Sequence, residues 1–336
     1  MKTLSVIIPT YNTSKEYFSK CLASLVCEQA GEIEIVVIDD GSMEQYSSEI
    51  KQEIEKSPLD IYYCKKKNGG QNSAREYGLV KATAQYVFFM DADDYVDTVA
   101  LDAVISLLKD NYPDILAFNY DVRTPDGEIL EKYDRWKEKY DKVDVHKGLL
   151  YSDSLWLQIY KKDVLCKSRI HLIQGVRIGE DMASATAILA AVGTEHATNE
   201  CLYHYVKHPG STLSNPPKES ALDMVRAFDA MLEQLDTSIQ EKYHIHTTIH
   251  YDPVDVHNPR LLALKQQVLE IVKGIDEHYS IHDFRMVPGK NHTNLIFDVL
   301  IPANDQISHQ ILKNKISAEV KQISDEYHCV IEIDHA

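Results

Sequence analysis

The stretch YVFFMDADDYVD, residues 86–97, sets four carboxylates, Asp91, Asp93, Asp94 and Asp97, behind a run of large apolar side chains. Crowded anions repel one another unless a cation or hydrogen-bond donors offset their charge. One of these aspartates is expected to cap the helix that begins near 98. For the rest, a D-x-D at a strand end suits a hard divalent cation, Mg2+ or Mn2+. Such an ion takes one or two protein carboxylates together with phosphate oxygens. The chemistry implied is a metal-bridged diphosphate. Two more polar clusters, PTYN at 9–12 and DDGS at 39–42, also follow apolar runs.

Elements must bring these clusters together. Residues 4–9, 33–40, 60–66, 85–91 and 114–120 read as strands. Between them, 14–28, 44–56, 70–82 and 98–109 carry apolar residues at helical spacing, and the pattern returns at 180–192 and 218–235. Wholly apolar strands alternating with helices imply a mostly parallel, Rossmann-like α/β sheet covered on both faces. Ligands bind beyond the carboxyl ends of such strands, where the three clusters converge.

The 336 residues suffice for two domains, and 44% hydrophobic with 26% charged residues is a globular composition. A formal charge of −17 argues against nucleic acid or an anionic membrane surface as partner, since both select clustered Lys and Arg. The six cysteines, Cys21, Cys27, Cys64, Cys166, Cys201 and Cys329, form no C-x-x-C pair and read as reduced thiols of a cytoplasmic protein. The opening MKTLSVIIPTYN lacks the apolar core of a signal peptide. No stretch approaches the roughly 18–20 apolar residues of a spanning helix, so any membrane contact is expected to be peripheral, at the inner face.

The series SVIIPTYN, EIVVIDDGS, KNGGQNSARE and MDADD resembles the family 2 glycosyltransferases of the GT-A fold, over about residues 3–215. The resemblance implies a metal-dependent, inverting transfer of a sugar from a nucleotide-sugar donor to a glycan or lipid-linked acceptor in cell-surface or exopolysaccharide synthesis. It implies that Pro9, Thr10 and Tyr11 seat the nucleotide. Asp39 or Asp40 would accept from the base or ribose, although Asp40, Gly41 and Ser42 also read as a turn. Asn68 would sit in a tight turn with Gly69 and Gly70, and Arg75 would face the nucleotide. Asp91 would touch ribose or sugar, Asp93 would be the principal metal ligand, and Asp94 would support them.

In GVRIGEDMASA, Glu180 and Asp181 resemble that family's ED motif, which makes Asp181 the general base and Glu180 its support. Acidic residues are also favoured at any helix start. Trp156 would line the acceptor cleft. His208, Ser211 and Thr212 would belong to the loop over the diphosphate.

The sequence changes character near 236–246. Of fifteen histidines, five precede residue 211 and ten fall between 244 and 335. The expected division is 1–235, a linker at 236–243 (within the polar LDTSIQEKY), and 244–336. In the tail, strand 243–251, helix 259–276, strands 280–287 and 293–301, helix 306–323 and strand 328–334 follow a ferredoxin-like α+β plan.

YHIHTTIHYDPV and SIHDFRMVPGKNHTNLIFDVLIP resemble the cytosolic domain of cation diffusion facilitators, without their membrane helices. That resemblance implies dimerisation and a Zn2+ or similar site from His250, Asp252 and His282. The alternative function is then a metal-sensing dimerisation protein, with a degenerate nucleotide-binding domain fused to this tail.

Overall fold

Leu4–Thr10 (β1) is buried at every position, as a strand needs when both of its faces are covered. The computed structural model describes residues 2–143 (except 112 and 141), 151, 154–192 (except 168 and 169), 195–208, 220–243, 259–288, 293–302, 305 and 307–335. β1 pairs in parallel with β2 (Ile33–Asp39) and β4 (Tyr86–Phe89), and β2 with β3 (Ile61–Lys65). Thr10 stands beside Asp39, and Asp39 beside Lys65, so the strands end together on one edge. Pro9 falls beyond the last β1–β4 pair, Ile7–Phe89, where its missing N–H leaves that ladder intact.

Helices α1 (Lys15–Ser24), α2 (Glu44–Lys56), α3 (Gln71–Lys81) and α4 (Thr98–Asn111) link these strands. Phe18, Ile50, Leu101 and Ile105 cluster with Leu4, Val6 and Ile8. Ala74 of α3 clusters instead with Ile7, Val36 and Ile38. Alternate strand positions therefore feed two cores, one on each face.

The rest of the sheet departs from the mostly parallel expectation. β5 (Tyr95–Val96), β6 (Ile115–Arg123), β7 (Ile129–Tyr133), β8 (Gln158–Lys161) and β9 (Glu195–Val206) complete a large mixed sheet of order β3-β2-β1-β4-β8-β6-β9-β5, with β7 on β6. β8 runs antiparallel between β4 and β6. After a short helix, α5 (Lys162–Lys167), come α6 (Glu180–Val192) and α7 (Ser220–Tyr243). α7 continues through 236–243, the expected linker. That segment holds no Gly or Pro, and its Gln, Glu and Lys suit a helix.

The chain divides into compact units at Met1–Ile249 and His250–Ala336. The second holds α8 (Pro259–Ile275), β10 (Ser280–Pro288), β11 (Thr293–Ile301), α9 (His309–Lys321) and β12 (Tyr327–His335). Leu264, Val268 and Val272 of α8 and Leu312, Ile316 and Val320 of α9 repeat every four residues and pack on Leu295, Phe297 and Val299 of β11. The first strand of the ferredoxin-like plan, at 243–251, falls almost wholly outside the described residues; Tyr243 itself ends α7. β11 pairs directly and in parallel with β12, where a split β-α-β plan would set a strand between them.

Candidate active site

The loop after β4 sorts its aspartates by environment. Asp94 is buried and accepts from Val206 N (2.7 Å) and Tyr203 Oη (2.7 Å), which ties the loop to β9. Burial raises its pKa well above the usual carboxyl value. Asp97 accepts from Val99 N and Ala100 N at 2.9 Å and caps α4. Asp91 and Asp93 also keep solvent access, at 18% and 38% side-chain exposure. His208 Nε2 lies 2.9 Å from Asp93 Oδ2, and the His208 ring stacks on Tyr17. That hydrogen bond raises the His208 pKa.

Arg75 projects from α3 beneath Asp91 and is completely buried. Its Nη2 donates to Asp91 Oδ1 (2.7 Å), and its Nη1 donates to Asn72 Oδ1 (2.9 Å) and to Asp181 Oδ1. Gln71 Nε2 also donates to Asp91 Oδ1 (2.7 Å). Asp181 lies in the first turn of α6. One guanidinium thus joins the strand-end carboxylate to the ED pair. Burial raises Asp91 to about 6 and Glu180 to about 7, in each case helped by the neighbouring Asp181 charge.

The β2 end is closed by comparison. Asp39 is buried and accepts from Ser42 N (2.8 Å), Ser47 Oγ (2.5 Å) and Tyr63 Oη (2.8 Å). Burial alone would raise its pKa, but these donors hold it below the usual value. Asp40 accepts from Lys66 Nζ, Gly69 N and Gly70 N, and Asn68 Nδ2 donates to the Asp40 carbonyl (2.9 Å). Asp40 therefore fills the N-terminus of α3, where an anion is favoured. Gly41 at φ +81° makes the turn, and a Cβ there would lie 2.8 Å from Asn68 N.

Of the remaining expected donor-site residues, Tyr11 is 58% exposed with an open ring, and Thr10 Oγ1 is buried without a hydrogen-bond partner. Trp156 is buried and stacks on Tyr203, so it belongs to the core beneath the site. Ser211 and Thr212 lie outside the described residues. Gln71, Asn72 and Tyr203 were not singled out from the sequence. Residues 71, 72 and 75 at the start of one helix were a usable signal, whereas Tyr203 looks like any strand tyrosine.

Two groups of side chains have metal-binding geometry. In the first, Asp121, Cys201 and His204, Arg123 donates to both Asp121 oxygens at 2.8 Å and occupies them. The second, in the tail, joins His282 to Asp298 and Asp334. His282 Nδ1 lies 3.6 Å from Asp298 and Nε2 lies 3.3 Å from Asp334. A bulge after His282, with Asp283 at φ +50°, helps to aim the ring. His250 and Asp252 lie outside the described residues. Asp298 and Asp334 were not expected from the sequence.

Residues 5–165 match the family model described as Glycosyl transferase family 2. The chain is 29% identical over 222 residues to the minor teichoic acid biosynthesis protein GgaB of Bacillus subtilis, covering 64% of this chain and 24% of GgaB. It is 27% identical over 301 residues to glycosyltransferase GlyA of Streptococcus pneumoniae, covering 84% of this chain and 40% of GlyA. It therefore spans less than half the length of either relative. The crystal structure of S. aureus TarS 1–349 with UDP-GlcNAc superposes with a TM-score of 0.56 at 20% identity, over 82% of this chain and 81% of that one. This likeness supports the GT-A-like fold. Among the described residues no helix is long and apolar enough to cross a membrane. Residues 5–165 form a family 2 glycosyltransferase domain.

Proposed function

We propose that the first unit transfers a sugar, with inversion, from a nucleoside-diphosphate sugar to a glycan or lipid-linked acceptor at the inner face of the membrane. One observation carries this reading. Asp91 and Asp181 each give Oδ1 to buried Arg75, and neither Oδ2 has a partner among the described residues. Two open carboxylate oxygens thus flank one buried guanidinium.

Asp181 Oδ2 would take the proton of the acceptor hydroxyl as its oxygen bonds to the anomeric carbon. The bond from that carbon to the diphosphate breaks, and its electrons leave with the nucleoside diphosphate. Tyr11 offers a ring face for the base. Asp91 Oδ2 suits a ribose or sugar hydroxyl.

The donor set fits a hard divalent ion, because Asp93 is half-exposed and its Oδ1 is open. Mn2+ or Mg2+ bound there would offset the charge of the departing diphosphate. Given the ligands of TarS, UDP-N-acetylglucosamine is the first donor to try, and relatives named for teichoic acid point to a cell-surface polymer as acceptor. The test is Asp93→Ala titrated with UDP and MnCl2 by calorimetry. Loss of metal-dependent binding in a folded variant supports the reading, and wild-type binding refutes it.

A second reading, for the tail alone, is favoured by the grouping of His282, Asp298 and Asp334. Ligand atoms of all three lie within 4.8 Å of one another. The tail would take Zn2+ or a similar cation there and self-associate, with His250 and Asp252 as further ligands. Sedimentation with and without ZnCl2 tests it, and an unchanged monomer counts against it.

A further inference from the structure

Arg75 is wholly buried, whereas the carboxylates it holds reach the surface, Asp91 at 18% exposure and Asp181 at 20%. The guanidinium therefore lies beneath both and presents no surface to a substrate. The geometry points to Arg75 as a positioning residue whose two arms fix the donor-side carboxylate Asp91 against the acceptor-side base Asp181. This inference rests on the transferase reading, and it moves Arg75 away from the nucleotide contact that the sequence implied.

Three observations support it. First, the arms are divided, with Nη2 on Asp91 and Nη1 on Asp181, and each carboxylate keeps its other oxygen open. A planar fork can orient two partners at once, whereas a lysine ammonium is a point charge on a flexible stem. Second, the fork is braced. Asn72 accepts from Nη1, and its amide donates to Ile173 O (2.9 Å) and Ser184 Oγ (3.3 Å). Ser184 Oγ in turn accepts from Ile173 N and donates to Glu180 O, at the head of α6. The α3 start and the α6 start are locked together around the guanidinium.

Third, a buried ion group is weak as a source of stability, because apolar residues of similar volume often serve as well or better. Two anions on one cation make a good reason for placement. A misplacement of about 1 Å between reacting groups costs on the order of 100-fold in rate.

Arg75→Lys keeps the charge and removes the fork. The wild type is first screened with UDP-N-acetylglucosamine, UDP-glucose, UDP-galactose and GDP-mannose in MnCl2, and the one giving the largest rise in melting temperature becomes the donor. If none binds, the transferase reading falls and the inference falls with it. With that donor, release of nucleoside diphosphate to water reports turnover, and calorimetry reports donor affinity.

The expected R75K variant is folded, binds donor within about threefold of wild type, and turns over on the order of 100-fold more slowly. The double variant R75K/D181N then loses clearly less than the product of the two single losses, because Arg75 acts in part through Asp181. Wild-type turnover in R75K overturns the inference alone. So does a loss of donor affinity that matches the loss of turnover, which marks a nucleotide contact. Multiplying losses in the double variant also overturn it. If R75K does not fold, Arg75→Gln combined with Asp181→Asn replaces that ion pair with amides. A further loss smaller than that of Arg75→Gln alone upholds the inference, and losses that multiply overturn it.

Discussion

Asp91 and Asp181 rest on a guanidinium with no solvent exposure, while His282, Asp298 and Asp334 stand 42%, 25% and 51% exposed. Among the described residues no Lys or Arg pairs with either tail aspartate, and only the histidine lies against them. Both groups place several acidic oxygens within reach of one ligand, yet they handle repulsion differently. In the first unit a buried cation offsets it and fixes the geometry before any substrate arrives. In the tail all three side chains are partly exposed, so solvent screens it. Braced carboxylates suit a reaction that needs fixed distances. Hydrated carboxylates suit reversible capture of a cation.

The sharpest way to break this comparison is to remove the buried cation. Arg75→Met leaves Asp91 and Asp181 without their partner in a desolvated place, so the first unit should lose about 3–5 kcal/mol. Both tryptophans, Trp136 and Trp156, lie in that unit, so fluorescence during urea unfolding reports it separately from the tail. A loss below about 1 kcal/mol, the scale of exposed pairs, would show that the guanidinium is not braced as described.

Glu195 tests the same idea from the other side, as a buried carboxyl with no cation. It is 2% exposed, Gln158 Nε2 donates to its Oε1, and its Oε2 has no partner among the described residues. Burial raises its pKa from 4.5 to about 7. A raised folded-state pKa stabilises the protein fully below the unfolded value. That contribution is lost as pH climbs from about 4.5 toward 7, because the unfolded chain ionises first. The full loss above pH 7 is about 3 kcal/mol. Glu195→Gln should therefore flatten that part of the stability profile. It should exceed wild type by about that amount at pH 8 and match it near pH 4. Parallel profiles for the two proteins would refute the assignment.

Much of this was legible in the sequence, for physical reasons that can be named. β1, β2 and β4 read correctly because strands covered on both faces are apolar throughout, and α1 to α4 read correctly because one stripe of each packs on them. The antiparallel insertion of β8 was not legible. QIYK carries no mark of direction, and its place between β4 and β6 is decided by distant pairing. In the site, the D-x-D spacing and the family resemblance gave Asp91, Asp93 and Asp181 as candidates but not how they are held. That Asp39 and Asp40 face inward follows from Ser47, Tyr63 and Lys66, which are ordinary residues in ordinary positions. Arg75 showed its charge but not its depth, because burial of an arginine depends on which carboxylates the fold brings to it.

A smaller effect separates the aspartates of the first motif. Asp97 only caps α4, so Asp97→Ala should lower stability by about 1 kcal/mol and leave UDP and MnCl2 binding unchanged. It is a carboxylate of the first unit that pairs with no cation among the described residues. A change in nucleotide affinity would mean that the loop after β4 responds as a whole, and that the division of its aspartates is too sharp.

The smallest expected change in stability is in the tail, and there the smallness itself is informative. His282 is 42% exposed, and its ring meets Asp298 and Asp334 through water-screened distances of 3.6 and 3.3 Å. In EDTA, His282→Ala should shift the tail's unfolding by less than about 1 kcal/mol, because exposed pairs contribute little. With ZnCl2 the outcome should reverse. An ion bound only by the folded tail raises its melting temperature by mass action, and the variant should lose most of that rise. Calorimetry of the two proteins with EDTA and with ZnCl2 distinguishes the cases. A large loss in EDTA would mean that the cluster is a structural brace like the one around Arg75. Equal rises with zinc would mean that the histidine is no ligand. Either result would erase the contrast between a site fixed in advance and one that closes on its ion.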